Sequence, residues 1–236
     1  NAFDKVVTVS DNIIPSISEI SGREDNIITV RNAIDHKMIL ARSMEDIELD
    51  PTTKCSVGRA RFYEMINSDH KKFINIGRYS PEKGHDRLVD AFYRLWINDK
   101  DIMLIIVGGN SRDRGYEKLC SKVKALGLAD NVILLLSVSN PYPILKACDY
   151  LILSSYYEGF GLVLAEADIL GKPVVSTDIE GPRSFMKRYG GTVVDNSEDG
   201  IYDGLKLLYE DKVATMRVDY DVYNAEYLEE FERLFE

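Results

Sequence analysis

From Phe73 onward, short continuous apolar runs alternate with stretches of helical periodicity, and this alternation limits the fold more than any other feature of the chain. Residues 73–77, 102–107, 131–136, 150–154 and 173–177 read as strands, with a last small one at 191–194. Between them, residues 85–96 place Leu88, Ala91, Phe92 and Leu95 on one helical face, and residues 116–126 form a helix closed by Gly127. Pro141 opens a short helix, residues 162–170 a further one, and residues 201–210 another. Strands that are apolar on both sides must be covered on both sides. The chain is therefore expected to be α/β, a Rossmann-like parallel sheet with helices on both faces. Such sheets bind ligands beyond the carboxyl ends of their strands, where the loops at Gly77, Gly108 and Glu158 all fall.

The stretch 154–167, SSYYEGFGLVLAEA, joins the strand at 150–154 to an apolar helix. Gly159 and Gly161 allow the backbone to approach a ligand, and the new helix directs its free N–H groups at it. Glu166 stands one and a half turns into that helix among Leu162, Ala165 and Ile169. A carboxylate in such surroundings needs a hydrogen-bonding partner, which a sugar hydroxyl would supply. Glu158 and Glu166 thus flank what reads as a phosphate cradle.

This E-x7-E pattern resembles the donor-site signature of the retaining GT-B glycosyltransferases of the glycogen-synthase-like group, often called family 4. Two further stretches carry the resemblance in the expected order. Residues 77–84, GRYSPEKG, are similar to that family's GR-x3-EKG loop, and residues 171–178, GKPVVSTD, to its G-x-PVV strand. The likeness runs from about Phe73 to the C-terminus. It implies that Arg78 and Lys83 hold the donor diphosphate, Arg as a fork and Lys as a point charge. It also implies that Glu166 takes the ribose hydroxyls and that Glu158 meets the transferred sugar near its reacting carbon. Gly161 and Leu162 would offer backbone N–H groups, and Gly108 and Gly109 would let the second strand end approach the nucleotide. The donor implied is a nucleotide-diphosphate sugar, taken as UDP-linked, with no metal and no other cofactor. Two departures stand out. Residues 135–140, LLSVSN, lack the glycine usual in the stretch that lines the base. A turn IEGPR at 179–183 replaces the Gly-Gly turn and Glu usual in the family and is similar to that of bacterial enzymes building cell-surface or wall glycopolymers.

Residues 1–70 read as a remnant of an N-terminal acceptor domain with its linker, and residues 71–236 as the donor domain with a closing crossover helix. Strands are expected at 4–10 and 26–30, a helix at 11–20 despite Pro15, and one helix in the polar stretch 42–68. Ala33 replaces the glycine usual in the family's linker. The opening residue is Asn1 rather than Met, as expected of a fragment or a processed chain, and the resemblance implies that most of the acceptor half is missing. In the tail, Tyr220, Tyr223, Tyr227, Phe231 and Leu234 recur at helical spacing. That aromatic face is expected to cover its own domain, the N-terminal remnant, a second copy or a separate partner.

A net charge of −10 argues against a general nucleic-acid binder and leaves room for a local basic pocket. Cys55, Cys120 and Cys148 are too few and too scattered for a disulfide framework or a zinc site, and suit a reducing, cytoplasmic setting. Peripheral membrane contact through the absent domain stays open. His36, His70 and His85 have no nucleophile beside them, and His85 is expected at the surface as a helix-start residue. No G-x-G-x-x-G opens a helix after the first strand, which argues against a nicotinamide enzyme. Two readings remain: a transferase, or a non-catalytic nucleotide-sugar-binding or interaction module acting through a partner subunit.

Overall fold

The computed structural model describes residues 4–22, 25–109 and 114–235, leaving aside the side chain of Asn12. In chain order its elements begin with β1 (Val6–Thr8), α1 (Ile14–Ser21), β2 (Ile27–Thr29) and α2 (His36–Arg42). Next come β3 (Lys54–Cys55), α3 (Arg59–Ile66), β4 (Lys71–Ile76), α4 (His85–Trp96), β5 (Ile102–Gly108) and α5 (Gly115–Ala125). The remainder is β6 (Val132–Leu136), α6 (Tyr142–Ala147), β7 (Tyr150–Leu153), α7 (Leu162–Ile169), β8 (Val174–Thr177), α8 (Glu180–Tyr189), β9 (Thr192–Val194), α9 (Glu198–Tyr209) and α10 (Tyr220–Glu232).

Seven strands form one sheet in the order β3-β6-β5-β4-β7-β8-β9, parallel except for β3, which pairs antiparallel to β6. The α/β expectation is met. After β4 the chain moves outward through β5 and β6, then returns to the other side of β4 with β7. The direction of winding thus reverses between β4 and β7, and a crevice opens there beyond the strand ends. Alternate residues of each strand feed two cores. Phe73, Leu104, Ile106 and Ile152 pack with Leu88, Phe92 and Leu205 of α4 and α9. Ile74, Ile105, Leu151 and Leu153 pack with Phe62, Leu145, Leu164 and Phe185 of α3, α6, α7 and α8.

β1 and β2 lie where strands are expected in the N-terminal segment, and they pair with each other in a separate two-stranded parallel sheet. Residue 70 is no break in the packing, however. Ile39, Leu49, Phe62, Met65 and Ile66 all join the core beneath the large sheet, and β3 extends that sheet's edge. The polar stretch 42–68 conceals these apolar anchors because they are spaced by loops and a short helix.

The tail helix α10 crosses back and divides its contacts. Tyr220 donates to the Ala165 carbonyl at 3.1 Å and to Asp168 at 2.9 Å, while Tyr223 packs edge-on to Phe185 and Tyr189. Further along, Asn224 bonds both backbone groups of Ile34, and Glu226 and Glu230 grip Arg31. Two of the expected occupants of the aromatic face, its own domain and the N-terminal segment, therefore share this helix.

Candidate functional site

Two loops meet over the reversal of winding: residues 77–84 after β4 and residues 154–161 after β7. They are tied to each other by main chain and side chain. The Tyr156 N–H donates to the Glu82 carbonyl at 2.8 Å, and the Ser154 hydroxyl donates to the Lys83 carbonyl at 2.9 Å. Between these ties the Lys83 ammonium lies against the Glu158 carboxylate, with only 17% and 13% of the two side chains exposed. The Ser155 hydroxyl donates to the same Glu158 oxygen at 2.7 Å. The two residues expected to hold diphosphate and sugar are thus brought into contact. Each satisfies the other, as two oppositely charged groups must when they are mostly withdrawn from water.

Arg78 is exposed and lies 3.2 Å from Glu82. Ser80 donates to Glu82 at 2.5 Å, and this hydrogen bond, with Arg78 and Lys83 nearby, holds the Glu82 carboxyl below its usual range. Glu82 therefore stiffens the turn that carries both cations. Gly108 ends β5 against this loop. A β-carbon there would stand 1.9 Å from the Gly77 carbonyl oxygen, so the missing side chain lets the two strand ends close up. The Gly109 carbonyl accepts the Tyr79 N–H at 2.9 Å. These two glycines shape the wall of the crevice by holding loop to loop.

Gly161 caps α7 with φ +84°, a left-handed conformation that glycine adopts without strain, and Leu162 starts the helix with its side chain exposed. Glu166, one turn on, is largely enclosed, and burial raises its carboxyl above the ordinary value. The Tyr142 hydroxyl donates to it at 3.4 Å, and Arg42 stands 5.7 Å from the Tyr142 ring centre. Tyr142 has no motif around it, and nothing in the sequence marks it. The loop after β6 bends at Ser137, whose φ of +65° makes a left-handed turn without glycine. Its N–H donates to the Gly108 carbonyl at 2.9 Å, and its own carbonyl accepts Thr53 at 2.9 Å. That answers the absent glycine noted in residues 135–140.

Two expectations require correction. His85 is buried rather than at the surface. Its Nε2–H donates to Asn75 Oδ1 at 2.9 Å, since the Asn75 amide nitrogen is committed to the Ile152 carbonyl at 2.7 Å. Burial, with Lys83 nearby, pushes the imidazole down to about 3 and keeps it neutral. The stretch 179–183 is no turn but the N-cap and first residues of α8. Gly181 packs there against the Gly159 carbonyl, where a β-carbon would come within 2.2 Å. Among the described residues no three His, Cys, Asp or Glu side chains gather to share a metal ion.

The sequence profile described as Glycosyl transferases group 1 matches residues 58–226. The chain belongs to this family. Over 178 residues it is 29% identical to N-acetyl-alpha-D-glucosaminyl L-malate synthase of Bacillus anthracis, covering 75% of this chain and 42% of that protein. An uncharacterized glycosyltransferase of Methanocaldococcus jannaschii is 36% identical over 125 residues, 52% of this chain and 30% of the relative. The chain thus spans less than half of either protein. Among solved structures, Anabaena Alr3699/HepE in complex with UDP and glucose superposes with a TM-score of 0.76 at 21% identity. It covers 98% of this chain, which in turn covers 63% of it. The lipopolysaccharide glycosyltransferase WaaG gives a TM-score of 0.67 at 24% identity, over 88% of this chain and 54% of its own. These likenesses place the chain in the GT-B fold, and the glycosyltransferase assignment rests on the family.

Proposed function

We propose that this chain is the donor half of a retaining, metal-independent glycosyltransferase that takes a UDP-linked sugar. The observation that carries the reading is the meeting of Lys83 and Glu158 across the two loops of the crevice. A diphosphate entering there would draw the Lys83 ammonium away from Glu158, with exposed Arg78 closing over it as a second cation. The freed Glu158, still held by Ser155, would turn to the sugar. Glu166, ionised, would accept from the ribose hydroxyls, with Tyr142 beside it.

In the transfer, the bond between the anomeric carbon and the β-phosphate oxygen breaks, and one to the acceptor hydroxyl forms on the same face. The acceptor proton passes to the departing diphosphate. Lys83 and Arg78 would stabilise the charge that grows on that leaving group, and Glu158 the positive charge at the anomeric carbon. The acceptor is a hydroxyl of a cell-surface or wall glycopolymer, carried by the rest of the protein. The separate sheet of β1 and β2 would belong to the acceptor-side domain that reaches the hinge, and the seven-stranded sheet, with the stretch before residue 71 that packs on it, to the donor domain.

A second reading, a nucleotide-sugar-binding module acting through a partner subunit, has one observation in its favour: Leu228, Phe231 and Phe235 leave an apolar surface exposed at the end of the tail. UDP release from a panel of UDP-sugars separates the two. The transferase reading expects slow hydrolysis, indifferent to EDTA and lost in Glu158→Ala. Tight binding with no turnover in the full-length protein would favour the module, and loss of turnover on chelation would overturn metal independence.

A further inference from the structure

Arg87 is the third residue of α4, buried, and among the described residues it has no carboxylate within ion-pair distance. An arginine withdrawn from water without a counter-ion is costly unless its fork is filled by hydrogen bonds. Here every partner is neutral. Nε donates to the Ser154 carbonyl at 3.1 Å, and Nη2 donates to the carbonyls of Ser154 at 2.7 Å and Ser155 at 2.9 Å. The same Nη2 reaches Asn196 Oδ1 at 2.6 Å, and Nη1 the Asn196 carbonyl at 3.3 Å. The Tyr156 ring lies over the guanidinium, 3.7 Å from its central carbon to the ring centre.

Three of these hydrogen bonds fall on the peptides that lead to Glu158, and the other two tie Asn196 to the same guanidinium. The Ser155 carbonyl also accepts Thr177 at 2.7 Å, the Tyr156 carbonyl accepts Asn196 at 3.1 Å, and the Tyr156 N–H is held by Glu82. The segment 154–156 is thereby fixed by its main chain, and its next polar group, the Ser155 hydroxyl, touches the Glu158 carboxylate. A lysine would carry the same charge, but only the guanidinium fork can reach two successive carbonyls and an amide at once.

We infer that Arg87 is a positioning residue that sets the reach of Glu158 through the peptides of Ser154 and Ser155. The inference rests on the donor-site reading above and adds to it a residue that touches neither diphosphate nor sugar. Its consequence is selective: the sugar contact depends on Arg87, while the diphosphate contact through Lys83 and Arg78 does not.

The test compares Arg87→Lys, Ser155→Ala and the double variant by calorimetric titration with UDP and with UDP-glucose, and by hydrogen exchange without ligand. We expect each single variant to weaken UDP-glucose about tenfold while UDP stays within about threefold. The double variant should fall no further than the weaker single one, because both cut one chain of contacts. In Arg87→Lys the amides of residues 154–158 should exchange about tenfold faster, while those of β7 stay protected. Equal loss of UDP and UDP-glucose, additive losses in the double variant, or unchanged exchange would each overturn the inference. Should Arg87→Lys fail to fold, Asn196→Ala opens the same clamp from its exposed side and carries the same expectations. A parent chain that binds neither UDP nor UDP-glucose would sink the donor-site reading instead. In that case, or if UDP binds and UDP-glucose does not, the exchange measurement alone decides on Arg87.

Discussion

Replacing Glu158 by glutamine should tighten the binding of UDP, although Glu158 belongs to the site. The Lys83 ammonium is engaged by Glu158, and both side chains are mostly withdrawn from solvent. A diphosphate must first break that contact. At an effective dielectric of about 20, two unit charges 4 Å apart attract by about 4 kcal/mol, much of which is regained as solvation when the pair opens. Exposed pairs retain no more than about 1 kcal/mol and close, desolvated ones about 1.5 kcal/mol or more, so a pair enclosed to this degree holds about 1–2 kcal/mol. Glutamine keeps the hydrogen bond from Ser155 and removes the charge, which also removes a repulsion against the incoming diphosphate. UDP should therefore bind Glu158→Gln about 5–30 times more tightly than the parent. Calorimetric titration with UDP in the same buffer measures this directly. If the variant binds UDP no better, or more weakly, the ion pair does not compete with the ligand and the proposed exchange of partners is wrong.

Three further predictions follow from individual residues. Because His85 is held neutral down to about 3, the unfolded chain takes up its proton first as the pH falls through 6.5. Stability should then drop by about 2 kcal/mol between neutrality and pH 5, a loss that His85→Gln would not show in denaturant titrations. Burial raises the Glu166 carboxyl above its ordinary 4.5, and only the ionised form accepts from both ribose hydroxyls. UDP affinity should accordingly weaken at a higher pH than an ordinary glutamate would give as the solution is acidified, with that limb absent in Glu166→Gln. Removal of the hydroxyl in Tyr142→Phe should weaken UDP by about threefold or less, since a 3.4 Å contact is a weak one, and a loss beyond tenfold in titration would give Tyr142 a larger role.

How far the sequence disclosed the site depends on where each residue's partners lie. Strands such as residues 102–107 were legible because a run apolar on both faces has few other uses, and the loops at Gly77 and Glu158 followed from the strand ends. Lys83 and Glu158 stand in motifs, and their meeting follows from β4 and β7 being neighbours in the sheet. His85 was misplaced because a histidine after a glycine turn looks exposed until the acceptor on Asn75 is seen. Arg87, two residues on, resembles any helical surface charge, and its partners lie 67, 68 and 109 positions away. In the tail, spacing alone placed five apolar side chains on one face. Tyr220 and Tyr223 are indeed buried, whereas Phe231 is 41% exposed because the helix has passed the edge of the donor domain by then.

The measurement that bears most directly on the donor-site reading is calorimetric titration of the metal-free chain with UDP, GDP, ADP and CDP, set beside Lys83→Ala. The account predicts that UDP binds in preference to the others and that Lys83→Ala loses about 1.5–3 kcal/mol of that affinity, the worth of a charge-assisted hydrogen bond. Equal binding of UDP by the parent and Lys83→Ala would contradict it.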